Sequence, residues 1–316
     1  MTNVLWRQYK EFSGCLIRGT DPIIPQDPTR HMSCAAWLTA EAEAPSFGFV
    51  QSYDGAGISA GLLHNILVMP ATMTQGDLGQ LVRRMIDAVN LANKYSGFPV
   101  RHDLDVEIEM KGWVLASDGK FRYSAEHAPG SLVSGAVLRD WVAPPNGHVP
   151  RSGPQWEHAA KMALLFHELF KAPSARKVQE DFAIEWLARG NRESEMRVYR
   201  TFGGQPDLDS VIALPRAKLP SSVHVAMCVY HSFSVNSPRV AMDCLTRVTQ
   251  NPATGRADAP DAFAKALIRE LGIHGRDVWH DQPGDGNNRY DRTRVALWGR
   301  EDLFPGGHDL MPRDLT

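Results

Sequence analysis

The stretch HMSCAAWLTAEAEAPSFGFVQSYDGAGISAGLLHNILV, residues 31–68, decides the fold class. Residues 31–44 are rich in Ala, Met, Leu and Glu, all strong helix formers, and Pro45 stops the helix. The composition then changes at once. Phe47, Phe49 and Tyr53 sit on an alternating pattern, Asp54-Gly55-Ala56-Gly57 has turn composition, and Ile58 begins a second extended run. This pattern predicts a β-hairpin around the Asp54–Gly57 turn. A helix that runs directly into an antiparallel hairpin points to an α+β protein.

Residues 1–30 read as irregular, because DPIIPQDP holds three prolines. Residues 74–94 give the clearest helix. Leu78, Leu81, Val82, Met85, Val89 and Ala92 fall on one stripe, with Thr74 as cap and Asp77 in the first turn. Residues 103–125 read as extended: DLDVEIEM alternates acid with aliphatic, and Asp118-Gly119 is a hairpin turn. The loop APPNGHVPRSGP, 143–154, suggests a boundary between an N-terminal part, 1–142, and a helical part, 155–316, which could equally form one continuous domain. Ser152 is expected to cap, and Pro154 to open, a helix with Ala159, Ala163, Phe166 and Phe170 on its apolar face. KVQEDFAIEWLARG follows, and further helices are expected near 193–202, 208–216, 220–233, 237–249 and 260–272. The tail, 280–316, reads as polar and rich in Gly and Asp. The expected fold is therefore α+β and mostly helical, a small antiparallel β-hairpin region packed on a large helical bundle.

Composition excludes several function classes. The 316 residues are 43% hydrophobic and 22% charged, with 34 basic and 36 acidic side chains. That is the profile of a globular chain, and it excludes wholesale disorder. Residues 1–150 carry 12 basic and 15 acidic groups, and 151–316 carry 22 and 21. Neither half has the basic footprint of a nucleic-acid partner. No apolar run is long enough to span a membrane, and MTNVLWRQYKEFSG lacks the apolar core of a signal peptide. Synthesis in the cytoplasm is expected. Cys15, Cys34, Cys228 and Cys244 stand singly among apolar residues, which predicts reduced, buried thiols.

The chemistry suggested by residues 31–68 is glycoside hydrolysis. That reaction uses two carboxyl groups, one protonated to donate to the leaving oxygen and one ionised. A carboxyl at the packed end of a helix has its charged form desolvated, whereas one in a polar hairpin turn stays ionised. Glu41 and Glu43 occupy the first setting and Asp54 the second. Gly55 and Gly57 lack side chains, so a sugar chain could approach that backbone closely.

The order of these elements resembles the lysozyme-like superfamily, closest to the phage-type lysozymes and then the related chitosanases. In that group a helix delivers a catalytic Glu, a hairpin carries an Asp, and the pattern Thr-x-Gly-x-Gly-His follows. Here the segment reads Ser59-Ala60-Gly61-Leu62-Leu63-His64, with Ser59 in place of the Thr and Leu63 in place of the second Gly. The resemblance implies Glu43 as general acid, favoured over Glu41 because it lies last before the helix stop. It implies Asp54 as the group that orients water or stabilises the cationic transition state, and Ser59 as a hydrogen-bond partner of that water. Glu41, Tyr53, Gly57, Gly61, His64 and Trp113 are carried as substrate-binding or site-shaping residues. The implied activity is cleavage of peptidoglycan glycan by hydrolysis or lytic transglycosylation. A chitosanase-like hydrolase and a non-catalytic glycan-binding or phage structural module stay open. No cofactor and no metal are called for. An enzyme of this kind would act on the cell wall after separate delivery, as an endolysin or a secreted antibacterial effector.

Other signals carry less. Asp281, Asp285, Asn287, Asn288 and Asp291 lack the spacing of a calcium loop, and His167-Glu168 lacks the second His of a zinc-protease helix. The remaining histidines are dispersed and read as surface or hydrogen-bonded residues. Trp37, Trp156 and Trp186 read as core, while Trp113 and Trp141 flank the extended region. The run from His231 to Pro238 breaks one helix and starts the next, with polar side chains that suit a cleft.

Overall fold

The computed structural model describes residues 25, 27–43, 47–51, 56–95, 108–109, 111–124, 129–143, 153–189, 193–204, 207–235, 237–278 and 289–313. The chain is α+β and mostly helical, with small antiparallel sheets. It divides into two compact units, one of residues 1–22 and 44–179, the other of 23–43 and 180–316. Most of the proline-rich loop at 143–154, where the sequence suggested a boundary, lies outside the described residues.

The first unit holds three sheets. Strands β1 (Val50–Gln51), β2 (Ser59–Ala60) and β3 (Asn65–Ile66) form an antiparallel sheet in which Gln51 faces Ser59 and Ser59 faces Ile66. Strands β4 (Val68–Met69) and β5 (Thr74–Gln75) pair next, and β6 (Trp113–Leu115) pairs with β7 (Phe121–Tyr123). Helix α2 (Leu78–Tyr95) buries Leu78, Leu81, Val82, Met85, Ile86 and Val89, whereas Ala92 is exposed. Thr74 does not cap it. Thr74 belongs to β5, and Asp77 precedes the helix and accepts from the Ile66 amide at 2.9 Å. Strand pairing with β4 takes the residues that local capping preferences assigned to the helix. The expected strand at 103–110 also fails where it is described, because Ile108 and Glu109 have helical backbone.

The Asp118-Gly119 turn is as expected. Gly119 has φ +73° and Asp118 Oδ1 accepts from the Lys120 amide at 3.0 Å. Helix α2 reaches this turn so closely that a Cβ on Gly119 would lie 2.3 Å from Gln80 Cα. Gly119→Ala is therefore expected to lower stability by about 3 kcal/mol, read as a lower urea midpoint. The side chain of Gln75 ties the sheets together, donating to Phe121 O and Val133 O and accepting from the Phe121 amide. Helix α3 (Gly135–Val142) is capped by Ser134. Helix α4 (Pro154–Lys171) opens at Pro154, as expected; its N-cap is Gly153, with φ +89°, and Ser152, the expected cap, lies outside the described residues. Helix α5 (Pro173–Arg189) passes from the first unit into the second.

The second unit is helical. It contains α1 (His31–Glu43), α6 (Glu193–Gly203), α7 (Leu208–Ile212), a 3-10 turn at Arg216–Lys218, α8 (Ser221–Ser234), α9 (Pro238–Gln250), α10 (Pro260–Val278), α11 (Arg289–Trp298) and α12 (Gly307–Leu310). Helices α1 and α8 pack together at its centre. Residues 31–40 and 223–233 are buried on every face, as expected of helices apolar all round. The run His231–Phe233 therefore lies inside α8 and not in a cleft. Within the polar tail, the described residues 289–313 include helices α11 and α12. Helix α11 packs against α1 and buries Tyr290, Thr293 and Leu297. Among the described residues, no helix is long and apolar enough to cross a membrane.

Candidate functional site

The residues predicted to carry glycan chemistry are placed unevenly. Helix α1 ends at Glu43, as the Pro45 stop predicts. The side chain of Glu43, and residues Tyr53 and Asp54, lie outside the described residues. Glu41 is half-buried. Burial raises its carboxyl pKa above the ordinary glutamate value, and Arg300 partly opposes the shift. The Arg300 guanidinium also stands over the Trp37 ring at 5.2 Å and pairs with Asp302 at 2.8 Å.

Ser59 is fully buried in β2. Gly57 and Gly61 have φ of +78° and +76°, conformations open to glycine, and the Leu62 amide is held by Gln179 Oε1. His64 takes φ +50°, stacks on Phe49 at 4.7 Å and accepts at Nδ1 from Gln51 Nε2. Trp113 is only 8% exposed and packs edge-on against Trp141, so it does not offer the open ring face a sugar would need. Trp37 and Trp156 are buried, as expected, and Trp186 is partly so.

The second unit contains a cluster that the sequence reading missed. Buried polar side chains need hydrogen-bond partners. On α1, α6 and α8 they find one another: His31 Nδ1 lies 2.9 Å from His224 Nδ1, and His31 Nε2 lies 3.1 Å from the Tyr199 hydroxyl. That hydroxyl is also 2.9 Å from His231 Nε2, and His224 Nε2 is 3.1 Å from Leu303 O. Hydrogen-bond logic assigns every proton in this chain. A carbonyl accepts, so His224 carries its proton on Nε2 and accepts at Nδ1. His31 must then donate from Nδ1 and accept at Nε2 from Tyr199, which leaves Tyr199 to accept from His231. Burial lowers the pKa of all three rings, holding His224 and His231 at about 4 and His31 well below its ordinary value, so they are neutral near pH 7.

Cys228 Sγ stands 3.8 Å from His31 Nδ1 and 3.9 Å from His224 Nδ1. Cys34, Cys228 and Cys244 are free and buried, as expected, and burial pushes each thiol above its ordinary pKa. The signal available in the sequence was helical spacing. His224, Cys228 and His231 fall at i, i+4 and i+7 on one face of α8, and His31 and Cys34 lie one turn apart on α1. The 1–30 region and the Ala-rich composition of α1 gave no hint of a partner for either pair.

Other buried polar groups are paired in a more ordinary way. Glu180 accepts from Ser33 Oγ, Glu195 accepts from the Tyr230 hydroxyl at 2.5 Å, and Thr39 Oγ1 bonds Ala35 O. Asp291, from the set considered for calcium, pairs with Arg294 at 3.0 Å, and the other members lie outside the described residues. No family model, curated protein or solved structure matches this chain.

Proposed function

We propose that the chain is a lysozyme-like glycoside hydrolase that cuts the glycan strand of peptidoglycan, by hydrolysis or lytic transglycosylation. The observation that carries this reading is the end of α1. Glu41, two residues before Glu43, is held half-buried there with its carboxyl pKa raised, the kind of setting a general acid needs. The chain then enters the antiparallel β1–β2–β3 sheet within a few residues. The β1–β2 pairing brackets the segment that carries Asp54. Gly61 and His64, both in left-handed backbone, hold the turn that follows Ser59 in a defined shape.

Glu43 is the general acid in this proposal, Glu41 its neighbour and alternative, and Asp54 the ionised partner. Ser59 is the hydrogen-bonding hydroxyl, though its complete burial favours a part in holding β2 over direct contact with water in a groove. The direct test is a set of parallel assays on the purified chain. Clearing of a peptidoglycan suspension is expected. Release of reducing sugar from chitosan alone would move the substrate to a polycationic glycan. Binding to either glycan without cleavage would make the chain a non-catalytic module and overturn the enzymatic reading.

A further inference from the structure

We propose that His31, His224 and Cys228 form a buried binding site for a zinc-class divalent cation, with Cys34 as the fourth donor. The three ligand atoms lie within 4.8 Å of one another, on two helices packed together at the centre of the second unit. Zinc binds imidazole nitrogen at about 2.0–2.1 Å and thiolate sulfur at about 2.3 Å. A tetrahedral ion then sets nitrogens about 3.4 Å apart, and nitrogen and sulfur about 3.6 Å apart. The observed separations of 2.9, 3.8 and 3.9 Å need adjustments of about 0.5 Å or less to meet that shape. Cys34 is also fully buried, three residues beyond His31 on α1, but its sulfur stands outside the group of atoms within 4.8 Å of one another, so it must move inward to ligate. Its thiol now donates to Pro28 O at 3.5 Å, and ligation requires it to turn from that carbonyl.

The surroundings suit a metal. A ligating imidazole is oriented by the bond its other nitrogen makes. His224 already presents a lone pair at Nδ1, because Nε2–H is held by Leu303 O, which also accepts from Arg216 Nη1. His31 is oriented through Nε2 by Tyr199, and Tyr199 by His231. On ligation the His31 proton moves from Nδ1 to Nε2. The Tyr199 hydroxyl turns to donate to His231, and His231 changes tautomer. No proton is lost along that chain. The protons that leave come from the thiols, one from Cys228 and one from Cys34, and no redox change is involved. Thiolate and imidazole donors without a carboxylate select zinc-like ions over magnesium or calcium.

A second cluster makes a useful contrast. Cys244, Glu270 and His274 also lie within 4.8 Å of one another. There the Arg247 guanidinium already supplies the cation, with Nη2 2.9 Å from Glu270, 2.8 Å from His274 and 3.4 Å from Cys244. Among the described residues, no guanidinium or ammonium group hydrogen-bonds to His31, His224 or Cys228.

The metal proposal is independent of the glycan-cleaving one. Its test is metal analysis of the purified full chain by inductively coupled plasma mass spectrometry, with an absorption spectrum after exchange into cobalt(II). About one zinc ion per chain is expected, together with a thiolate-to-cobalt charge-transfer band. Zinc added to the stripped chain should release about two protons. Cys228→Ser should lower the metal content at least ~10-fold and remove the band, while Cys244→Ser leaves both intact. A parent chain with less than about a tenth of an ion and no cobalt band overturns the proposal. So does a metal lost with Cys244→Ser and kept with Cys228→Ser. The readings on the parent chain decide the matter even if Cys228→Ser does not fold.

Discussion

Glu43→Gln is expected to fold like the parent and to lose peptidoglycan-clearing activity by about 100- to 10,000-fold, the usual contribution of a positioned general acid. The amide keeps the size of the carboxyl and removes its transferable proton. Glu41→Gln is the necessary companion, because the two carboxyls lie two residues apart at the end of α1. Under the proposed assignment Glu41→Gln retains most of the activity. The opposite outcome moves the acid to Glu41, and full activity in both variants ends the hydrolase proposal. The pH profile adds a further check. A general acid works while protonated, so activity falls as pH rises through its pKa. If Glu41 is the acid, its raised pKa places that fall above the ordinary glutamate range. Arg300→Gln, which removes the opposing charge, should then move the fall to still higher pH.

Tyr199→Phe is expected to cost about 2–4 kcal/mol of stability, read as a lower urea midpoint. The ring stays and the packing changes little. What is lost is a fully buried hydroxyl that bridges His31 Nε2 and His231 Nε2, so two buried ring nitrogens lose their partner. Removing the Arg83–Asp87 pair on the exposed side of α2 should change stability by less than about 1 kcal/mol. A Tyr199→Phe midpoint equal to the parent's would show that the chain of rings is not what holds α1 to α8.

The same ring chain predicts acid sensitivity. His231 has an ordinary pKa of 6.5 in the unfolded state, and burial lowers it to about 4 in the folded state. Between those values the unfolded chain binds the additional proton, so stability falls as pH falls. The contribution is complete above about pH 6.5, and about 3 kcal/mol is lost by pH 4. A urea midpoint that stays flat across that window would contradict the neutral, buried state assigned to this ring.

Local chemistry made much of the fold legible in advance. The Ala-rich run with its proline stop produced α1, the apolar stripe from Leu78 to Val89 produced the core face of α2, and Asp118-Gly119 produced the hairpin turn. Each depends on residues within a turn or two of one another, where spacing in the sequence is spacing in space. The Thr74 cap and the extended backbone expected at Ile108 and Glu109 differ from the structure. Thr74 was claimed by a partner strand, and the described backbone at Ile108 and Glu109 is helical. Helix α11 was hidden because its polar composition carries a buried face only once α1 is there to cover it.

The candidate sites divide along the same line. Glu41, Glu43, Asp54, Ser59, Gly61 and His64 could be singled out because they follow one another within 24 residues, so their order alone suggested a chemistry. His31, Tyr199, His224 and Cys228 could not. The sequence by itself determined that His31, His224 and Cys228 lie on apolar helical elements, where each would need a partner. Only tertiary packing decided that the partners are one another, because hydrogen bonds between residues 168 and 193 positions apart leave no periodic trace in a linear chain.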